Sequence, residues 1–186
     1  MSRKVVLTFL LGLEDDLQAD ISETKEILGT YQQYKKHYTY LSNFDKNKIP
    51  NKDSLKMAIS YINFNTFLRH HTSRFNGFLS AGKIMTIEND SLTQNVLNYY
   101  QEVLPTLQSS EQGWYSINRS FIDYATDNVK DFENDMDKFQ VLATSRGEHI
   151  TKVLIPWPKL LERNQAVIIE ANKIISKINK MYPNNK

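Results

Sequence analysis

The stretch FNGFLSAGKIMTIENDSLTQNVLNYY, Phe75 to Tyr100, decides how this chain folds. Phe75 and Phe78 end an apolar helical face, and Gly82 follows at the place where a helix stops most easily. A glycine just past the last helical residue adopts the left-handed conformation without steric cost. Asn89, Asp90 and Ser91 then form a cap cluster, with Gln94 three residues beyond Ser91, a helix-start signature. The segment reads as helix, short connection, and the start of a long helix.

The apolar series beyond it is Leu92, Val96, Tyr99, Val103, Leu107, Trp114, Phe121 and Ala125, ending near Val129. Its three- and four-residue steps keep one face. Pro105 lies inside this series and does not shift its phase. A proline removes a hydrogen bond and clashes with the preceding turn, so one long bent helix is expected, with Tyr99 and Trp114 buried on one face.

Upstream, Leu10, Leu13, Leu17, Thr24, Leu28, Tyr31 and Tyr38 predict a first helix from about Lys4 to Leu41. Gly12 and Gly29 each cost such a helix about 1 kcal/mol relative to alanine, so tertiary packing must hold it. Ser42–Lys52 is polar, contains Pro50 and reads as a loop. Asp53 or Ser54 can cap a short helix with Leu55, Ala58, Ile59 and Ile62 on its buried face. Asn63–Thr66 reads as a break, and a second short helix runs from near Thr72 to Ala81.

Downstream, Asp131–Asp137 reads as an acidic connection. Pro156-Trp157-Pro158 must break or bend the helical region that opens near Ser145. The last helix starts at Pro158, with Leu161, Asn164, Ile168, Ala171, Ile175, Ile178 and Tyr182 on one face and Val167, Ile174 and Met181 beside it. Pro183 ends it, and Asn184–Lys186 should fray. The expected fold class is all-α: an elongated antiparallel helical bundle with three long helices, one proline-kinked, and two short ones, in a single domain over residues 1–186.

Composition narrows the function classes. The chain has 186 residues with 6 Gly and 5 Pro, a scarcity that disfavours turn-rich β folds. Its formal net charge of +2 gives no electrostatic case for nucleic acid. With no cysteine, disulfides, thiolate metal sites and a cysteine nucleophile are excluded. The 10 Tyr and 9 Phe are a heavy aromatic load, most simply read as core filling. Val5–Leu13 is the most apolar stretch, far short of the roughly 20 residues a membrane span needs. Ser2-Arg3-Lys4 before it imitates a signal peptide, but Glu14-Asp15-Asp16 follows with no small-residue cleavage site.

Candidate chemistry is sparse. His70 and His71 are adjacent and diverge by about 100° on a helix, so they do not chelate as a pair one turn apart would. His37 and His149 stand alone, without a Glu-x-x-His context. Asp131, Glu133, Asp135 and Asp137 alternate like the start of a calcium loop, but Met136 stands where the turn glycine belongs and Leu142 where the bidentate glutamate belongs. Ser80-x-Gly82-Lys83 lacks a full phosphate-binding glycine motif and follows a helix rather than a strand. Lys173, Lys177 and Lys180 form a basic stripe that reads as a solvated face. Tyr99 and Tyr100 diverge on a helix, so one should face the core and the other a groove or solvent. No metal and no cofactor is expected.

Phe75 to Tyr100 also resembles an uncharacterised bacterial family, a domain of unknown function, whose members carry an N-terminal transmembrane helix followed by a helical domain. The residues that carry this resemblance are Phe75, Phe78, Ser80-Ala81-Gly82-Lys83, Ile84, Ile87, Asn89, Leu92, Val96 and Tyr99-Tyr100. Leu10, Leu13, Asp16-Leu17 and Asp20 are similar to the stretch after the membrane helix. The family often has Tyr at Phe75 and Ser at Ala81.

The resemblance implies a membrane-anchored domain at the cytoplasmic membrane, facing the periplasm. The chain is then either the soluble part after a missing anchor, the expectation adopted here, or a relative without one. It implies no catalytic residue. The function expected is a non-enzymatic protein-interaction or sensing module, with an unknown protein partner or self-association. The alternative is a small-ligand sensor with an aromatic-lined pocket. Tyr99, Tyr100, Phe75 and Phe78 are the candidate ligand or partner residues, and Gly82 and Asn89 the structural motif.

Overall fold

The computed structural model describes residues 3–45, 47–61 and 66–183, and these are helical without strands. In order the elements are α1 (Arg3–Ser42), α2 (Lys52–Ser60), α3 (Ser73–Ser80), a 3-10 turn (Ile84–Thr86), α4 (Asp90–Asn98), a π turn (Tyr99–Val103), α5 (Leu104–Asn128), α6 (Asp135–Leu142), α7 (Ser145–Leu154) and α8 (Pro158–Met181). Expectations for Ser2, Ile62, Asn63–Asn65 and Asn184–Lys186 lie outside the described residues.

The apolar series of α1 is buried at Leu10, Leu13, Leu17, Thr24, Tyr31 and Tyr38, while Leu28 is half-buried. A Cβ at Gly12 would fall on the guanidinium of Arg74, which lies over it.

Helix α2 begins earlier than expected. Asn51, not Asp53 or Ser54, is its cap, and its Oδ1 accepts from Asp53 N and Ser54 N at 3.1 and 3.0 Å. Helix α3 ends as the sequence indicates. Gly82 has φ +66°, its N–H donates to Leu79 O at 2.9 Å, and Lys83 N–H reaches back to Phe78 O at 3.1 Å. This pair of bonds is a Schellman stop. Asn89 Oδ1 then accepts from Leu92 N at 2.8 Å and opens α4.

Helical backbone continues from Asp90 to Asn128. The accommodation of Pro105 differs from a simple kink, for the residues before it form a π turn, where Leu104 N–H bonds Tyr99 O. Widening the turn is a recognised way to insert an irregularity into a helix without ending it.

The acidic run departs further from expectation. Only its first residues connect. Asn134 Oδ1 accepts from Met136 N at 2.9 Å and starts α6, so Asp135 and Asp137 occupy a helix first turn, where carboxylates suit the dipole. Thr144 caps α7, and α8 opens at Pro158. The buried stripe of α8 is Leu160, Asn164, Val167, Ile168, Ala171, Ile174 and Ile178. Val167 and Ile174, expected at the border, are its centre, while Leu161 and Ile175 are only half-buried.

The chain divides into two compact units, the first built from Met1–Ile27, Phe67–Ser109 and Glu162–Lys186, the second from Leu28–Thr66 and Ser110–Leu161. In the second unit the core is aromatic. Trp114 stacks on Tyr34 at 5.2 Å between ring centroids, meets Tyr31 edge-on at 5.7 Å, and donates Nε1–H to Leu154 O at 3.1 Å. Tyr31 and Tyr38 hydroxyls donate to Thr66 O and Tyr61 O at 3.2 and 3.1 Å. Burial pushes the Tyr34 phenol up to about 12.

Candidate functional site

In the first unit, the structure brings together residues that are far apart in sequence. Asp20 on α1 is fully buried. Its Oδ2 accepts from the Tyr99 hydroxyl at 2.8 Å, and its Oδ1 accepts from His71 Nδ1 at 2.7 Å and His71 N at 3.4 Å. One helical turn earlier, Asp16 pairs with Arg74 Nε at 2.9 Å. One turn later, Glu23 accepts from Arg69 N at 3.2 Å. These carboxylates on α1 hold the segment that leads into α3.

The adjacent spacing of His70 and His71 argued against a chelating pair. His71 is exposed, yet its ring is tied to Asp20, and that hydrogen bond raises its pKa. His70 goes the other way, with burial lowering its pKa and its Nδ1 lacking a partner.

Phe75, Phe78, Tyr99 and Tyr100 are all buried. Phe75 stacks on Tyr100 at 4.2 Å, and Tyr99 meets Tyr100 edge-on at 5.0 Å. The expectation that one of the two tyrosines faces a groove or solvent is corrected. Both lie in the π turn, where the step between neighbours is smaller than in an α-helix, and both rings go inward. The Tyr100 hydroxyl is buried without a partner. Desolvation, then the charge of Asp20, raises both phenols far above their ordinary value. With both oxygens of Asp20 occupied and its carboxylate sealed from water, this cluster works as an anchor between α1, the loop before α3 and the π turn.

Phe78 has one further contact surface. It stacks on Phe9 at 3.8 Å, and both rings floor an open groove of about 470 Å³ rimmed by Lys4, Arg74 and Lys83.

The second unit contains a more sheltered hollow of about 380 Å³, between α2, α5 and α6. Ile59, Phe121, Ala125, Val129, Phe132 and Leu142 form its walls, and Lys56, Ser60, Asp135 and Lys138 its polar edge. Lys138 pairs with Asp135 at 3.3 Å. Ser60 donates to Met57 O at 2.7 Å. Sequence reasoning missed this hollow. The signal was partly present, because Phe121, Ala125 and Val129 continue the apolar series of α5. Asp135, Lys138 and Leu142, however, come from α6, whose first three residues fall in the run read as a connection.

The remaining candidates resolve simply. His37 is buried and stacked on Tyr61 at 4.4 Å, and His149 is exposed. Asp131 Oδ1 accepts from Glu133 N in a local turn. Among the described residues, no group of three or more His, Asp or Glu side chains could hold a metal ion. Lys173 pairs with Glu170, and Lys177 is not simply solvated, because its Nζ donates to Ser91 O and Oγ at 3.1 and 2.6 Å. No helix among the described residues is long and apolar enough to cross a membrane. The chain matches no protein-family model, no curated protein and no solved structure.

Proposed function

We propose that this protein is a non-enzymatic helical sensing module that takes a small, largely apolar molecule into the hollow between α2, α5 and α6. The observation that carries the reading is the hollow itself, about 380 Å³ and lined, among the described residues, by six apolar and four polar side chains. Small-molecule sites are typically concave, mostly apolar and equipped with a few placed polar groups, with volumes of about 300–1,000 Å³. Both oxygens of Asp20, the buried acid of the first unit, are taken up by structural bonds to Tyr99 and His71, which supports a binding role over a catalytic one.

An antiparallel bundle with three long helices remains the framework of this proposal, because long amphipathic helices pack against one another at shallow angles. The tether to the cytoplasmic membrane and the periplasmic setting are part of the same proposal, supported by the resemblance carried by Phe75–Tyr100. A protein partner or self-association is the second reading, favoured by the exposure of Met57 and Phe132 in the unit that contains the hollow.

Thermal melting with rising 2-naphthol tests the reading. Specific binding to the folded state must raise the melting temperature with concentration. Ala125 is half-buried in the wall, so Ala125→Trp fills the space. The stabilisation is expected in the wild type and not in Ala125→Trp. Equal shifts in both, or none in either, would contradict it.

A further inference from the structure

Resting on that reading, we infer that the hollow is selective for apolar monocarboxylates, compounds with one carboxylate on an alkyl or aryl body.

The charges at its edge decide this. Asp135 and Lys138 neutralise each other across 3.3 Å. Lys56 has no carboxylate within ion-pairing range among the described residues, although Asp53 lies one turn before it on α2. Asp131 and Glu133 flank Phe132 in sequence but do not line the space. Among the described residues the lining therefore carries one uncompensated positive charge, on Lys56.

The shape agrees with this polarity. Lys56 and Ser60 lie one turn apart on the same face of α2, with Ile59 beside them. Lys56 and Ser60 are exposed, whereas Phe121 and Leu142, which also line the hollow, are buried. A molecule with an apolar body and one anionic end satisfies both features at once. Its body covers the walls, and its carboxylate accepts from the Lys56 ammonium at the mouth, where water remains to complete its solvation. A cationic amphiphile would bring like charges together, and a neutral one would leave the Lys56 charge unused.

The test is calorimetric titration with decanoate, decanol and decylammonium at low ionic strength, on the wild type, Lys56→Gln and Ala125→Trp. Circular dichroism and melting confirm that each variant is folded. In the wild type decanoate should bind about five times more tightly than decanol, the size of an exposed ion pair. Decylammonium should bind most weakly, and the decanoate preference should shrink with added salt. Lys56→Gln should bring decanoate down to decanol, and Ala125→Trp should abolish both. Equal binding of decanoate and decanol to the wild type would overturn the carboxylate selectivity and leave the apolar pocket standing. Failure of all three to bind would overturn the pocket as well.

Discussion

The hydroxyl of Tyr99, in a π turn, donates a 2.8 Å hydrogen bond to a carboxylate oxygen of Asp20, the fully buried acid in the middle of α1. A buried carboxylate is costly unless its oxygens are satisfied. Tyr99→Phe keeps the ring and removes only that donor. A hydrogen bond to a charged group contributes about 1.5–3 kcal/mol, and urea denaturation should show a loss of this size with an unchanged m-value. A loss within experimental error would show that the bond does not hold the unit together.

The same carboxylate gives the fold a pH dependence through His71. Asp20, Asp16 and Glu23 all raise the pKa of this histidine, with the hydrogen bond to Asp20 the largest cause. A group whose folded pKa is raised binds protons more tightly in the native state. Its contribution is therefore complete below its unfolded value of about 6.5 and is lost as pH rises through the folded pKa. His70 and His37 are lowered by burial and slope the other way. The difference between wild type and His71→Gln isolates the effect. The wild-type advantage should be largest below about pH 6 and should shrink toward higher pH. An advantage that grows with pH would refute the assignment.

Gly82 should resist substitution for a conformational reason alone. Its φ is +66° and nothing lies within 4 Å of where a Cβ would sit. Gly82→Ala should cost about 1–2 kcal/mol, the penalty of a left-handed conformation for an L-residue. Gly82→Asn should cost less, because Asn tolerates that region. An alanine variant that melts as wild type would contradict the Schellman stop.

Trp114 is 1% exposed and makes two ring contacts as well as a hydrogen bond to Leu154 O. Trp114→Ala should cost about 3–5 kcal/mol, read by chemical denaturation. Lys177→Ala should cost much less, losing only two exposed bonds to Ser91. Comparable melting of the two variants would overturn the aromatic core.

Local features of the fold were legible in the sequence because they depend on neighbouring residues. The stripe of α1, the Gly82 stop and the Asn89 cap follow from spacing, backbone freedom and side-chain reach, while the α8 stripe is centred on Val167 and Ile174, which the sequence reading put at its border. The π turn was not legible, because Pro105 announces a lost hydrogen bond without saying how the chain absorbs it. Helix α6 was hidden for a related reason. Asp131–Asp137 looks like a solvated run, yet Asn134 turns it into a capped helix start. Asp20, His71 and Tyr99 carry no periodic signature, since what unites them is a contact across 79 residues for Tyr99 and 51 for His71. The hollow was out of reach for the same reason, since its walls come from three helices and from Val129 and Phe132 in the connection between α5 and α6.

The most direct test of the central claim is amide chemical-shift mapping by NMR as decanoate is titrated into the folded protein. The account predicts saturable shifts gathered at Ile59, Phe121, Ala125, Val129 and Leu142, with Lys56 at their edge. Shifts gathered instead at Phe9, Phe78 and Lys83, or the absence of saturable shifts, would contradict it.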